Sequence, residues 1–300
     1  MSNNKISTII FSFDRAMQLS LLLKSLVQYD IFNRLNINIL FCCSSPDYRK
    51  AYEKLQSQYS QFGWIEETIF NKPKLNSDFD FFYWHNFYWW VKYKYLRKYK
   101  SNFKQIILQI LSGNRNESVM FLTDDSVFYR NLEIPDITDE KSGFSLRHGM
   151  HLSSGKYKKM ENGIEWNVYE NDEITDWGYP FSIDGHIYNK AALLKIIRKI
   201  IFNNPNTMEG NIACYFKEKH LPPQMKANKC SCLVGFELNC VQSVADNHHL
   251  GISQKQLNRY FLDDYQLQIQ FNIDQIEYFR PAIEYICVQK KEEQIKIYPQ

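Results

Sequence analysis

The chain has 300 residues, of which 44% are hydrophobic and 23% charged, and its formal net charge is +3 at pH 7. Such a composition is typical of a globular protein with a sizeable core, and so small a charge predicts no nucleic-acid partner. The N-terminal sequence MSNNKISTIIFSFDR has a short apolar run interrupted by Ser and Asp, which predicts a strand rather than a signal peptide. No run of about 18 apolar residues predicts a transmembrane helix.

The seven cysteines are odd in number and scattered along the chain. Because no secretory signal is evident, we expect reduced thiols in a cytoplasmic protein. Cys230 and Cys232 form a close pair, and His220 is a third candidate ligand for zinc. A zinc site normally has a second pair at ligand spacing, so structural thiols are the favoured interpretation.

The first part of the chain predicts alternating strands and helices. The apolar runs STIIFSF, NINILFCC and WIEETIF are typical of strands, whereas AMQLSLLLKSL and SSPDYRKAYEKLQSQY have helical spacing. This alternation predicts an α/β fold with a parallel sheet and right-handed crossovers.

Residues 79–99, FDFFYWHNFYWWVKYKYLRKY, are unusually aromatic. A helix here would be apolar over much of its surface, which favours a core helix. The functional alternative is an aromatic, basic face that contacts a glycan acceptor or the inner face of a membrane as a peripheral protein.

The remaining segments complete the predicted domain. KQIILQIL predicts a helix, VMFLTDDSVF a strand and its exit, and GFSLRHGMHL a further strand. Residues 153–179 are polar and predict long loops, and two helices follow in AALLKIIRKIIF and MEGNIACYFKEK. We expect one large domain, residues 1–240, on which residues 241–300 pack as a helical C-terminal tail that begins with SQKQLNRYFLDDYQL.

Asp124 and Asp125 directly follow the apolar run VMFLT. Ligands of open α/β sheets bind beyond the carboxyl ends of the strands, which is where this pair is expected. A divalent cation would relieve the repulsion between the two carboxylates and would neutralise a bound diphosphate. The alternative is a pair of turn-capping aspartates.

The order of these segments resembles the GT-A-type glycosyltransferases, especially the family-2-like group of bacterial polysaccharide and glycan synthesis. The matching segments are FSFDRAMQLSLLLKSL and Thr123-Asp124-Asp125, which corresponds to the DxD motif with Thr in its first acidic position. The resemblance implies a Rossmann-type mixed, mostly parallel sheet flanked by helices, and a nucleotide-sugar donor. It further implies that Phe13, Asp14, Arg15 and Asp124 bind the nucleotide and that Asp125 binds Mn²⁺ or Mg²⁺.

Two later segments, PFSIDGHIYNKAALLKIIRKI and NTMEGNIACYF, resemble the acceptor side of the same family. The resemblance implies that Asp184 lies near the sugar and that Glu209 is the general base of an inverting transfer, with Asp184 as the second candidate. For Glu209 the alternative is a carboxylate that stabilises a helix N-terminus. The resemblance also makes His248, or its neighbour His249, a candidate additional metal ligand.

Aromatic residues between these segments suggest an acceptor surface. Trp166, Trp177 and Tyr179 would stack on the apolar faces of a sugar, unless they pack within the protein. Arg147 and His148 would meet phosphate charge, or Arg147 would form a structural ion pair.

We therefore expect a glycosyltransferase that moves a sugar from a nucleotide-sugar donor to a saccharide or lipid-linked saccharide. One alternative is a non-catalytic domain of the same fold that binds glycan or nucleotide. A sugar-phosphate nucleotidyltransferase is less favoured, because FSFDRAMQL lacks the glycine-rich loop that cradles a triphosphate. Dehydrogenases and P-loop enzymes are excluded, since neither GxGxxG nor GxxxxGK[ST] occurs.

Overall fold

The computed structural model describes residues 5–68, 101–131, 139–152, 155–172, 175–221, 224–241, 249–277 and 280–299. The aromatic segment 79–99 and the candidate ligand His248 lie outside these described residues. Within the described ranges, no helix has the length and apolar character needed to span a membrane.

The N-terminal part has the predicted alternation of strands and helices. The elements are β1 (Ile6–Phe13), α1 (Ala16–Gln28), β2 (Leu35–Cys42), α2 (Pro46–Gln58) and β3 (Gly63–Glu66). These three strands pair in parallel, in the order β3-β2-β1. β1 is buried along nearly its whole length, which explains why its sequence is an apolar run rather than an alternating pattern.

The central sheet continues on the other side of β1. Its further elements are α3 (Phe103–Ser112), β4 (Ser118–Thr123), β6 (Ser142–Ser145), β9 (His186–Asn189), α4 (Lys190–Lys199), α5 (Pro205–Lys219) and β10 (Gln224–Ala227). β4 pairs in parallel with β1, and β9 runs antiparallel between β4 and β6. The sheet is therefore mixed, and right-handed crossovers place α1 and α2 on one face and α3 on the other.

Residues 153–179 are not the long loops that their polar sequence predicts. They contain the hairpin formed by β7 (Lys158–Met160) and β8 (Gly163–Asn167), and β8 joins the sheet edge by pairing antiparallel with β10. The full order of this sheet is β3-β2-β1-β4-β9-β6-β10-β8-β7.

The C-terminal tail is only partly helical, so the prediction of a helical tail is wrong. α6 (Gln254–Leu262) lies within the predicted helical segment, but the chain then forms β12 (Gln266–Glu277), β13 (Arg280–Lys290) and β14 (Glu293–Tyr298). These strands make a small antiparallel sheet. The alternation of polar and apolar residues in QLQIQFNI is the period of a strand, and it overrides helix formation there.

The tail packs against the N-terminal half of the chain. Lys54 on α2 donates hydrogen bonds from Nζ to the carbonyl oxygens of Phe261 (2.6 Å) and Leu262 (3.2 Å), which satisfies the C-terminus of α6. In the small sheet, the ring of Phe271 packs on Phe236, with 5.0 Å between centroids. Phe236 follows β11 (Leu233–Gly235), which pairs antiparallel with β5 (Ser126–Phe128) just after Asp125.

Candidate active site

Acidic and basic side chains meet at one edge of the central sheet. β1 and β4 end there, and β9 begins there because it runs in the opposite direction. Asp124 and Asp125 follow β4, and Asp184 lies two residues before β9. The carboxyl edge of a parallel sheet is where α/β proteins bind ligands, so this cluster is the candidate active site.

Asp124 is the buried anchor of the cluster, with 4% of its surface exposed. Its Oδ2 accepts hydrogen bonds from Ser12 Oγ (2.7 Å) and the Phe13 amide (3.3 Å), and its Oδ1 accepts from Arg15 Nη1 (3.0 Å). Burial raises the pKa of Asp124 to about 6, although Arg15 pulls it down. These contacts tie the end of β4 to the end of β1.

Arg15 lies between the two adjacent carboxylates. Its Nη1 is 3.0 Å from Asp124 Oδ1 and 3.1 Å from Asp125 Oδ2. Burial opposes the charged guanidinium, but Asp124 and Asp125 outweigh this effect, so the pKa of Arg15 is raised. The Arg15 guanidinium thus partly neutralises the pair of aspartates for which the sequence predicted a divalent cation.

Thr123 connects Asp125 with Asp184. Its Oγ1 is 2.7 Å from Asp125 Oδ1 and 2.6 Å from Asp184 Oδ1. Because a hydroxyl has one proton, it cannot donate to both carboxylates at once, and the arrangement is best satisfied when one carboxyl is protonated. Burial raises the pKa of Asp184, opposed by Arg147 and reinforced by Asp125, which is consistent with such a shared proton.

Arg147 forms the ion pair that holds the other oxygen of Asp184. Arg147 Nη1 is 3.0 Å from Asp184 Oδ2, so the structural ion pair, one of the two sequence alternatives, is present. Two glycines make this geometry possible. Gly185 has φ +78°, and a Cβ at Gly235 would lie 2.4 Å from Arg147 Nη2.

Glu209 lies on α5 beside the loop that carries Asp184. Its Oε1 accepts a hydrogen bond from the Ile183 amide at 3.1 Å. Burial, together with the charge of Asp184, raises the pKa of Glu209 to about 8. The helix begins at Pro205, after the capping residue Asn204, so Glu209 lies in its second turn and does not open the helix as the sequence suggested.

Asp14 faces a different part of the same edge. The residue has φ 55°, and its Oδ1 accepts a hydrogen bond from the Ser44 amide (2.7 Å), just beyond β2. The carbonyl of Asp14 accepts from Gln254 Nε2 (3.1 Å), at the start of α6. Asp14 therefore joins the ends of β1 and β2 to the tail.

The candidate metal ligand His249 lies near the start of the tail. It is exposed, and its Nδ1 accepts a hydrogen bond from the Gly251 amide.

The described carboxylates of this cluster do not form a ready cage for a divalent cation. No group of three or more Asp, Glu, His or Cys side chains among them is arranged to hold a metal. Arg15 occupies the space between Asp124 and Asp125, so these two cannot chelate one ion together. Asp125, with 19% of its side chain exposed, accepts hydrogen bonds at both oxygens, so it would offer an oxygen to a cation in exchange for the bond from Thr123 or Arg15. Hard cations such as Mg²⁺ often use one carboxylate plus phosphate oxygens.

The tryptophans expected to form an acceptor surface are core residues. Trp166 and Trp177 are each 3% exposed, and Trp166 Nε1 donates to the Trp177 carbonyl at 3.0 Å. Both rings pack on His148, which is buried as well. They therefore cannot stack on a sugar. Tyr179 is only partly buried.

Asn239 is the site residue that sequence reasoning missed. It accepts hydrogen bonds from Arg15, from which it is separated by 224 positions. No pattern within the chain marks such a residue, because its role follows only from the fold.

No family model matches the chain. Over 292 residues it is 23% identical to the bifunctional glycosyltransferase pgtA of Dictyostelium discoideum, a match that covers 81% of this chain and 33% of that protein. The chain therefore spans about a third of the length of this relative.

Among solved structures, the chain is similar to residues 1–349 of S. aureus TarS, with 15% identity and a TM-score of 0.40. It is similar to the same protein in complex with UDP, with 16% identity and a TM-score of 0.40. Each match covers 76% of this chain and 59% of the other. The relation to glycosyltransferases that the sequence motifs suggested is confirmed by the match to pgtA.

Proposed function

We propose that this chain is a glycosyltransferase that moves a sugar from a nucleoside-diphosphate sugar to a saccharide or lipid-linked saccharide. The observation that carries this proposal is the partly exposed carboxylate of Asp125 at the carboxyl edge of the sheet, beside buried Asp124 and across Thr123 from Asp184. The sequence relation to a glycosyltransferase supports the same reading. In this proposal residues 1–240 form the transferase domain, and residues 241–300 extend it.

The donor would lie along the ends of β1 and β4. Phe13 ends β1, Asp14 and Arg15 follow it, and these residues would line the nucleotide site, with Asp124 holding this edge in place. Asp125 would contribute one oxygen to Mn²⁺ or Mg²⁺, which when bound would neutralise the diphosphate leaving group. With one proton shared by Asp125 and Asp184 and with Glu209 protonated, Arg15 and Arg147 balance the remaining carboxylates, so binding of such a cation would release a proton from this cluster.

Glu209 is the proposed base. As the acceptor oxygen forms its bond to the anomeric carbon, the bond from that carbon to the diphosphate oxygen breaks, and the acceptor proton passes to Glu209. A single displacement of this kind inverts the anomeric configuration. A carboxylate with a pKa of about 8 is a stronger base than an ordinary glutamate, and it is ionised in a growing fraction of molecules as the pH rises. Asp184, with 29% of its side chain exposed, is the second candidate.

A non-catalytic nucleotide- or glycan-binding domain is the second candidate function. It is favoured by one observation: both oxygens of Asp125 already accept hydrogen bonds, from Thr123 and from Arg15. A domain of this kind would bind nucleotide without transferring sugar.

Thermal unfolding with a panel of nucleoside diphosphates and nucleotide-sugars, each with Mn²⁺ or with EDTA, tests the proposal. A ligand at a hundred times its dissociation constant stabilises the folded state by about 2.7 kcal/mol. We expect one nucleotide to stabilise the chain in the presence of Mn²⁺, with a loss of this effect in Asp125→Asn. The matched control is Asp263→Asn, which changes an exposed aspartate elsewhere.

Product analysis with the stabilising nucleotide-sugar separates the two candidate functions. Released nucleoside diphosphate and a glycosylated acceptor would support the transferase. Stabilisation without any release would support the binding domain. The absence of stabilisation by every nucleotide would contradict the transferase and would favour a domain that binds glycan alone.

A further inference from the structure

We propose that Asn239 is a positioning residue of the donor site, and that it acts by fixing Arg15 between Asp124 and Asp125. Arg15 Nε donates to Asn239 Oδ1 at 2.9 Å, and Arg15 Nη2 donates to the backbone carbonyl of the same residue. This role rests on the proposed transferase function.

The side-chain contacts of Arg15 divide into two sets. Nη1 faces the carboxylates of Asp124 and Asp125, whereas Nε and Nη2 face Asn239. An arginine side chain is long and has many rotamers, so an ion pair alone leaves its orientation weakly defined. The two hydrogen bonds that Arg15 donates to Asn239 select the orientation in which Nη1 reaches both carboxylates.

Asn239 is itself held firmly. It is 7% exposed, and its Oδ1 also accepts a hydrogen bond from Gln18 Nε2 at 3.3 Å. The segment that carries it is bound to the candidate metal ligand, because the Phe236 amide donates to the Asp125 carbonyl at 2.8 Å. Farther along, the Ile252 amide donates to the Leu238 carbonyl at 2.9 Å. The Asn239 side chain is therefore a fixed point against which Arg15 is placed.

Loss of the Asn239 oxygen would act on the donor through Asp125. Arg15 would no longer be confined between the carboxylates, and Asp124 and Asp125 would repel each other more strongly. Asp125 would then be poorly oriented toward the donor diphosphate. The amide nitrogen of Asn239 is buried and has no hydrogen-bond partner among the described residues, so the observed contacts of this side chain are made by its oxygen alone.

Calorimetric titration with UDP, GDP, ADP and CDP in the presence of Mn²⁺ tests this role. The proteins to compare are the wild type, Asn239→Leu, Asn239→Asp, Arg15→Met and the double variant Asn239→Leu/Arg15→Met. Asn258→Leu is the matched control, because Asn258 is an equally buried amide that contacts the Asp47 carbonyl on α2.

We expect Asn239→Leu to weaken binding of the preferred nucleotide about tenfold or more, the effect of losing a hydrogen bond to a charged group. The double variant should bind nucleotide no more weakly than Arg15→Met. Once Arg15 is gone, Asn239 has no guanidinium left to position, so its loss adds nothing further. Asn239→Asp keeps an oxygen for Arg15 Nε and should retain most of the affinity. In turnover, the KM for the donor should rise more than kcat falls.

The possible outcomes distinguish failure of the positioning role of Asn239 from failure of the proposed transferase function. Wild-type affinity in Asn239→Leu, additive losses in the double variant, or an equal loss in Asn258→Leu would overturn the positioning role while the wild type still binds nucleotide. Absence of nucleotide binding in the wild type would overturn the proposed function, and this role with it.

Discussion

Asp184 and Asp125 share the hydroxyl of Thr123, which lies 2.6 Å from the first carboxylate and 2.7 Å from the second. In the glycosyltransferase motif that the sequence resembles, an acidic residue occupies the position of Thr123. The structure gives the threonine a physical role, since a third carboxylate there would add to the repulsion, whereas a hydroxyl joins the two acids.

Replacing Thr123 by Val should lower kcat/KM for sugar transfer by about tenfold or more, because a hydrogen bond to a charged group is lost without a change in size. Thr123→Ser keeps the hydroxyl and is the control. Steady-state kinetics of both variants measure the effect. Equal activity in Thr123→Val and the wild type would show that the bridge has no part in catalysis.

Gly235→Ala should impair activity with little cost to folding. The added methyl would lie 2.4 Å from Arg147 Nη2, and the end of a flexible side chain moves aside more easily than backbone does. Arg147 would then leave Asp184, so we expect a lower kcat and a melting temperature close to that of the wild type. Restoration of kcat in the double variant Gly235→Ala/Arg147→Ala, which has the added methyl but no longer the arginine, would contradict this explanation.

Glu209→Gln should reduce kcat by about 10²- to 10⁴-fold if Glu209 is the general base. The same change should alter the pH dependence of stability. Burial raises the pKa of Glu209 from 4.5 to about 8, so its contribution to stability is complete below pH 4.5 and is lost as the pH rises through about 8.

Urea unfolding at pH 6 and pH 9 measures this second effect. Relative to the wild type, we expect Glu209→Gln to gain about 3 kcal/mol in unfolding free energy over this interval. Glu165→Gln, on β8 outside the site, is the control for removal of a carboxylate. If the difference in unfolding free energy between wild type and Glu209→Gln is the same at pH 6 and pH 9, the pKa of Glu209 is not raised.

His186 should make the protein acid-sensitive. Burial, and then the charge of Arg147, lowers the pKa of His186 from 6.5 to about 3. Its contribution to stability is therefore present above pH 6.5 and is lost as the pH falls toward 3. Between pH 6.5 and pH 4.5, His186→Asn should lose less unfolding free energy than the wild type does. The control is His249→Asn, which replaces an exposed histidine. Parallel curves for His186→Asn and the wild type would refute this assignment.

Lys190→Met should destabilise the protein without affecting the site. Lys190 is 8% exposed, and its Nζ donates to the Asn114 carbonyl at 2.6 Å and to Asn114 Oδ1 at 2.9 Å. Loss of the donor removes the bond to the Asn114 carbonyl, whereas Asn114 Oδ1 keeps those from Ser7 Oγ (2.7 Å) and the Asn116 amide (3.2 Å). An unsatisfied buried carbonyl costs about 1–3 kcal/mol of unfolding free energy. Nucleotide affinity should be unchanged, because Asn114 and Lys190 lie beyond the opposite end of β4 from Asp125. Denaturant unfolding and nucleotide titration of one preparation check both parts.

The elements that the sequence predicted correctly are those with strong periodicity. β1 and β2 are apolar runs, and α1 places its buried leucines at helical spacing. The β7–β8 hairpin was missed: its two-residue turn is Glu161-Asn162, and Gly163, which would complete an Asn-Gly turn signal, is instead the first residue of β8.

The candidate site was predicted residue by residue but not as an arrangement. The position of Asp125 after an apolar strand is visible in the sequence, because chain order alone places it at the strand end. The placement of Arg15 between two carboxylates depends on a partner in the last quarter of the chain, so local patterns carry no trace of it. Burial of Trp166 and Trp177 likewise follows from the sheet edge formed by β8, which was predicted as loop.

The contact between Arg15 and Asn239 also bears on how the protein is made. The two residues are separated by 224 positions, and the contact between Asp14 and Gln254 by 240. During synthesis from the N-terminus, the first strand and helix emerge from the ribosome long before the residues that orient their acidic and basic side chains. Chains of this size tend to fold in stages. The nascent chain therefore completes its sheet edge before its charges are arranged, and any ability to bind donor is acquired only after Asn239 and Gln254 have been synthesised.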